Sequence, residues 1–240
     1  MPPADLEQRY TELAALAGGL AHEIRNPLST LNLNLQLLAE DFAQAEEPRE
    51  RRAHQKIARL HKVVQQLERL LNDFLRFARV GRLEGVPSDL SALARDLIEF
   101  FAPQAEATGV VVRDETRDGL PAVRADRDLL KQALLNLLLN AHAAMPKGGE
   151  LIVRTRADGG DVCLDVIDTG VGMSAETQGK IFTPFFSTRP GGSGLGLPTA
   201  QRIVEAHGGT LAAASAVGTG TAFTIRLPAA NEPERPAGAP

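Results

Sequence analysis

In Gly18-Gly19-Leu20-Ala21-His22-Glu23-Ile24-Arg25-Asn26-Pro27-Leu28-Ser29, a histidine, an acid and an amide fall close together, ahead of a proline. A neutral imidazole is a competent nucleophile near pH 7. The neighbouring Glu23 can take or orient the other ring proton of His22, which is the work of a general base. Leu20 and Ile24 belong to an apolar stripe. At about 100° per residue His22 lies about 200° from each, so it projects outward with Arg25 and Asn26. Pro27 removes the N–H that would bond the Glu23 carbonyl, and its ring strains that turn, so the helix is expected to bend beside the nucleophile.

A second set of chemistry-bearing residues lies far along the chain. Gln132, Asn136 and Asn140 recur every fourth position in a leucine-rich stretch. They form either a solvated stripe or a row of amide oxygens that could bind Mg²⁺ and bridge to phosphates; spacing alone does not choose. Asp168-Thr169-Gly170-Val171-Gly172-Met173 follows an apolar run. Its carboxylate can accept from an exocyclic amine, while Gly170 and Gly172 let a backbone approach a flat ligand. Gly191-Gly192-Ser193-Gly194-Leu195-Gly196-Leu197 opens a helical pattern, and amides at such a start make an anion site. It is neither a Walker pattern, lacking GK[ST], nor a Rossmann fingerprint, since no βαβ unit surrounds it. Between these lies Ile181-Phe182-Thr183-Pro184-Phe185-Phe186-Ser187-Thr188-Arg189, whose phenylalanines are expected to fold over a ligand and whose Arg189 offers a charge to a terminal phosphate.

Two kinds of element must position these residues. Leu13, Leu16, Leu20, Ile24, Leu28, Leu31, Leu35, Leu38 and Phe42 mark one helical face; Ile57, Leu60, Val64, Leu67, Leu71, Phe74 and Ala78 mark another in heptad steps. A helical hairpin with two such stripes has no core of its own, so self-association into a four-helix bundle is expected. The spacing predicts a hairpin domain over 1–80, a linker over 81–87, a mixed domain over 88–228 and a disordered tail over 229–240. In the mixed domain Ser88 is expected to cap a helix to about Ala107, and Asp126 one to about Met145. Val110–Val112 reads as a strand. Leu151–Thr155 and Val162–Ile167 read as a hairpin across Asp158-Gly159-Gly160, a further helix runs from near Gly194 to His207, and strands near 210–214 and 221–227 end the domain. The fold class is α+β, a helical hairpin followed by a sandwich of mixed sheet with helices on one face.

Composition bounds the function. With 43% hydrophobic and 23% charged residues the chain is globular, and a net charge of −4 supplies no basic field for nucleic acid or a membrane surface. Cys163, the single cysteine, excludes an internal disulfide and is expected to be buried in a strand. The opening residues read without a secretory leader, and Asn136 and Asn140 break the most apolar helix, so no membrane segment and a cytoplasmic location are expected. His54, His61, His142 and His207 are expected in surface roles, and no histidine pair has zinc spacing with cysteine.

Taken in order, Asn136 and Asn140, DTGVGM, FTPFFSTR, GGSGLGL and Gly218-Thr219-Gly220-Thr221 resemble the Bergerat-type nucleotide-binding domain of sensor histidine kinases, shared with DNA gyrase, heat-shock chaperone and mismatch-repair ATPases. GGLAHEIRNPLS on a dimerising hairpin extends the resemblance to nearly the whole chain, in wording closest to the nitrogen-regulation type. It implies that Asn140 holds Mg²⁺ and Asn136 lies on the phosphate side. Asp168 would recognise the adenine amino group with a water held by Thr221, and amides from Ser193 through Gly194, Leu195 and Gly196 to Leu197 would grip the ATP phosphates. Residues 173–192 would form a lid, with Arg189 where lysine is common and Ser187 where threonine is common. It further implies that His22 attacks the γ-phosphate and passes the phosphoryl group to an aspartate of a response regulator receiver domain. Asn26 is placed to orient a water or ATP, which makes phosphatase activity toward the regulator a further expectation. The partners implied are a second copy of the chain, the regulator, and a sensor domain or sensor chain that supplies the input.

Overall fold

The computed structural model describes residues 24–42, 47–78, 83–189 and 192–230. It divides into two compact units, Met1–Gly81 with Ser187–Leu195, and Arg82–Phe186 with Gly196–Pro240.

The first unit is built on helix α1, described over 24–41, and helix α2, Pro48–Ala78. The apolar steps seen in the sequence are present but divide between two faces. Leu28 and Leu35 of α1 bury against Ile57 and Val64 of α2, with Phe42 and Leu71 packed on them. The alternate members Leu31, Leu38, Leu60 and Leu67 remain 43–55% exposed. Residues seven apart share one line on a helix, whereas those three or four apart flank it, so a single partner helix covers only half of so wide a stripe. Arg25 Nη2 ties the two helices by donating to Asn72 Oδ1 at 3.0 Å.

In the second unit a five-stranded sheet runs in the order β2 (Val110–Glu115), β4 (Gly149–Asp158), β5 (Asp161–Asp168), β7 (Gly220–Pro228), β6 (Thr210–Ala216). The β2–β4 pair is parallel and every other pair antiparallel. Helices α3 (Leu90–Glu106), α4 (Arg127–Ala144) and α6 (Gly196–Ala206) pack on one face, as the pattern predicts. Phe101, Leu134, Leu137, Leu138 and Ile203 meet Leu151, Val153, Leu164, Val166 and Ile225 there, all fully buried. The other face carries charge. Arg156 pairs with Asp158 and Asp165 at 3.1 Å each, and Arg226 with Asp158 at 2.6 Å and Asp161 at 3.2 Å. Between these arginines in register lies Cys163, buried in its strand as expected.

Three local expectations change. Asp89, not Ser88, caps α3, its carboxylate accepting the Ser91 and Ala92 amides. Ser88 instead ends β1 (Val86–Ser88), which pairs antiparallel with β3 (Val123–Ala125), so Val86 and Pro87 join a small sheet rather than a bare linker. His207 is buried: its Nδ1 donates to the Ile203 carbonyl at 2.7 Å and its Nε2 accepts the Asp126 amide at 3.0 Å. Both ring nitrogens thereby fasten the end of α6 to the start of α4, a role that neither sequence neighbourhood advertises. No helix among the described residues is long and apolar enough to cross a membrane.

Candidate functional site

Asp168 stands at the end of β5 because the preceding Val162–Ile167 run is apolar enough to form the central strand, buried from both sides. Its side chain is 2% exposed, and Oδ1 accepts the Gly170 amide at 2.8 Å. Directly opposite in β7 lies Thr221, and opposite Thr221 in β6 lies Ser215. Three polar side chains thus form one row across adjacent strands, since paired residues share a sheet face.

The turns around this row approach too closely for side chains. Gly172 has φ +63°, and a Cβ there would overlap the Ala216 carbonyl. Gly220 has φ +97°, and a Cβ there would overlap the Asp168 carbonyl. Both the left-handed backbone and the space demand glycine. The Gly218 amide donates to the Val171 carbonyl at 2.8 Å, so the glycine turn after β6 and the DTGVGM loop are stitched together.

Helix α4 forms the second wall. Asn136, Asn140 and Ala144 follow one another at fourfold spacing, and the Ala144 carbonyl accepts the Val171 amide at 3.0 Å. The asparagine row and the aspartate loop therefore meet on one side of one helix. Asn136 and Asn140 are half-buried, and the solvated-stripe reading does not describe them. Asn140 Nδ2 donates to the Asn136 carbonyl at 2.8 Å, and its amide oxygen is an acceptor by chemistry. An amide oxygen suits a hard cation such as Mg²⁺, which takes few protein ligands and completes its shell with water and phosphate. Among the described residues no group of three or more His, Cys, Asp or Glu could hold a metal ion. Gly196 opens α6 beside the pair: a Cβ on it would lie 3.7 Å from Asn136 Oδ1 and 3.8 Å from Asn140 Nδ2. Leu197 follows, half-buried.

Arg189, Ser193, Gly194 and Leu195 lie in the Ser187–Leu195 segment that groups with the helical unit. Within it Ser187 Oγ accepts the Arg189 amide at 3.1 Å, Ser193 Oγ accepts the Leu195 amide at 3.4 Å, and Gly194 has φ +67°. Leu195 is buried and Arg189 exposed. Ahead of the segment, a short helix α5 (Ala175–Gln178) is capped by Ser174 and held to β6 by Gln178 Nε2, which donates to the Ala213 carbonyl at 2.8 Å. Phe185 is 65% exposed, whereas Phe182 and Phe186 are half-buried. Gly191 lies outside the described residues.

His22 and Glu23 also lie outside the described residues. Asn26 is exposed on α1, its carbonyl accepting the Thr30 hydroxyl at 3.0 Å. Ser215 is the residue that sequence reasoning missed. It interrupts an alanine-rich strand, and its partners become visible only once β5, β7 and β6 are paired.

Residues 125–231 match the family model described as histidine kinase-, DNA gyrase B- and HSP90-like ATPase, and residues 12–82 match the His kinase A (phospho-acceptor) domain. The sensor histidine kinase ZraS of Klebsiella oxytoca is 39% identical over 223 residues, covering 92% of this chain and 47% of ZraS. The chain spans about half the length of the first curated relatives it matches. Among solved structures, full-length ShkA in complex with AMPPNP aligns at TM-score 0.72 and 30% identity, over 91% of this chain and 46% of that one. The histidine kinase ThkA in complex with the response regulator protein TrrA aligns at TM-score 0.64 and 25% identity, over 93% of this chain and 64% of that one.

Proposed function

This chain belongs to the sensor histidine kinases, and on that premise we propose that it autophosphorylates His22 from ATP and passes the phosphoryl group to an aspartate of a response regulator. The observation that carries the reading is the buried Asp168–Thr221 pair, closed round by Gly172 and Gly220 at the end of the asparagine-bearing helix α4. A carboxylate held there accepts from the adenine amine, and the glycine-lined backbone leaves room for a flat base. Asn136 lies toward the phosphates. Amides from Ser193 to Leu197 and the Arg189 guanidinium would be the donors to the phosphates. Asn140 would hold Mg²⁺ through its amide oxygen, and a bound ion would supply charge neutralisation at the phosphates.

In the chemical step, Nε2 of His22 attacks the γ-phosphorus in line, the bond to the β–γ bridging oxygen breaks, and ADP leaves. Glu23 takes the proton from Nδ1. The regulator's aspartate then attacks the phosphorus of the phosphohistidine, the P–Nε2 bond breaks, and Glu23 returns the proton to Nδ1, so the imidazole leaves neutral. Asn26, exposed and four residues after His22 in the chain, would orient a water for hydrolysis of the phosphorylated regulator. Leu31, Leu38, Leu60 and Leu67 supply the outer stripe for a homodimeric four-helix bundle. A sensor domain or partner chain would supply the input, and a reduced Cys163 and use of ATP fit a cytoplasmic location.

The test is incubation with Mg²⁺ and ATP labelled at the γ-phosphate. Acid-labile, base-stable label that disappears in His22→Ala is expected. Acid-stable label, or label that survives His22→Ala, overturns the proposal.

A further inference from the structure

We propose that Ser215 is a positioning residue for base selectivity, because it turns the Thr221 hydroxyl into an obligatory acceptor beside Asp168. The inference rests on the adenine-site reading above. Ser215 Oγ makes three contacts: the Met173 amide at 2.9 Å, the Gly220 carbonyl at 2.9 Å and Thr221 Oγ1 at 3.0 Å. A hydroxyl has one hydrogen and two lone pairs. The Met173 N–H can only donate and the Gly220 carbonyl can only accept. The single hydrogen of Ser215 therefore goes to Gly220, and its second lone pair takes the hydrogen of Thr221. Thr221 Oγ1 is left with lone pairs alone to offer any ligand.

That assignment matters because Thr221 is the cross-strand partner of Asp168. Two acceptors, a carboxylate and a hydroxyl oxygen, then stand side by side on one sheet face. They match an exocyclic amine, which brings two N–H donors. A 6-oxo purine presents a carbonyl oxygen at the same position, so acceptor would meet acceptor and buried lone pairs would stay unpaired. Mismatches of this kind discriminate more strongly than differences in size. The same serine holds Met173 and Gly220, so the loop after Asp168 and the turn before Thr221 are registered to one oxygen.

The experiment measures binding of ADP and of IDP, its 6-oxo counterpart, to the full chain by calorimetry with Mg²⁺. Wild type is expected to prefer ADP. In Ser215→Ala the Thr221 hydroxyl can rotate and donate, so the ADP-to-IDP preference should narrow by about tenfold, and Ser215→Thr should restore it. A purely structural serine would weaken both ligands alike, so an unchanged ratio in a folded Ser215→Ala overturns the proposal. If that variant does not fold, Thr221→Val removes the same acceptor; a narrowed ratio supports the proposal and an unchanged one overturns it. Wild-type protein that binds neither diphosphate would defeat the adenine-site reading itself, and the Ser215 inference with it.

Discussion

Asp168 and Thr221 are direct partners across strands β5 and β7, one the last residue of its strand and the other the second of its own, both almost fully buried. The pairing places a carboxylate and a hydroxyl on one sheet face, where neither sequence motif alone would put the other. Replacing Asp168 with Asn keeps an oxygen for the Gly170 amide but turns an acceptor-only group into one that also donates. ADP affinity should fall by about 2–3 kcal/mol, with the far-ultraviolet spectrum unchanged. Calorimetry checks this, and unaltered affinity would remove Asp168 from the site.

Gly220→Ala should destabilise the α/β unit by at least about 2 kcal/mol, since a Cβ meets the Asp168 carbonyl and the backbone is left-handed. Gly159→Ala, in an open turn with φ +61° and nothing near its Cβ, should cost clearly less. Urea denaturation of both variants separates close approach from backbone strain.

His207→Ala removes the acceptor of the Asp126 amide, while the Ile203 carbonyl keeps the residue 207 main-chain amide as a donor. The expected loss is about 2 kcal/mol of stability, read by chemical denaturation. A loss below about 0.5 kcal/mol, the level of ordinary surface substitutions, would contradict the bridging role.

Leu60→Glu with Leu67→Glu should dissociate the proposed homodimer while leaving each hairpin helical, because both side chains lie on the outer stripe. Ile57→Ala removes a buried contact between α1 and α2 and should instead destabilise the hairpin by about 2–4 kcal/mol. Sedimentation velocity and circular dichroism, read together, distinguish the two outcomes.

On the open sheet face, hydrogen bonds from Arg156, then from Arg226, hold the Asp158 carboxyl below its usual range. A carboxyl that ionises more easily folded than unfolded stabilises the fold above its unfolded pKa, about 3.9. The gain disappears as pH falls through the lowered folded value. Asp158→Asn should therefore lower the melting temperature at neutral pH, and the gap to wild type should close below about pH 4. Raising salt should narrow the gap too, since the group is exposed. A gap that stays constant down to strong acid would rule out this ion-pair contribution.

The sequence by itself determined whatever depends on neighbours in the chain. Apolar residues at steps of three and four marked both hairpin helices, the apolar run before Asp168 placed that acid at a strand end, and the recurrence of Asn136 and Asn140 four apart put them on one side of α4. Tertiary structure decided what depends on partners far away in the chain. Strand pairing set Thr221 against Asp168 and revealed Ser215 as the oxygen that joins three segments. It drew Val86 and Pro87 into a sheet with Arg124 and Ala125, and it buried His207 against Asp126. The physical reason is common to all of these. Propensity and periodicity act over one or two turns of chain, whereas a hydrogen bond is satisfied by whichever donor the completed fold brings within about 3 Å.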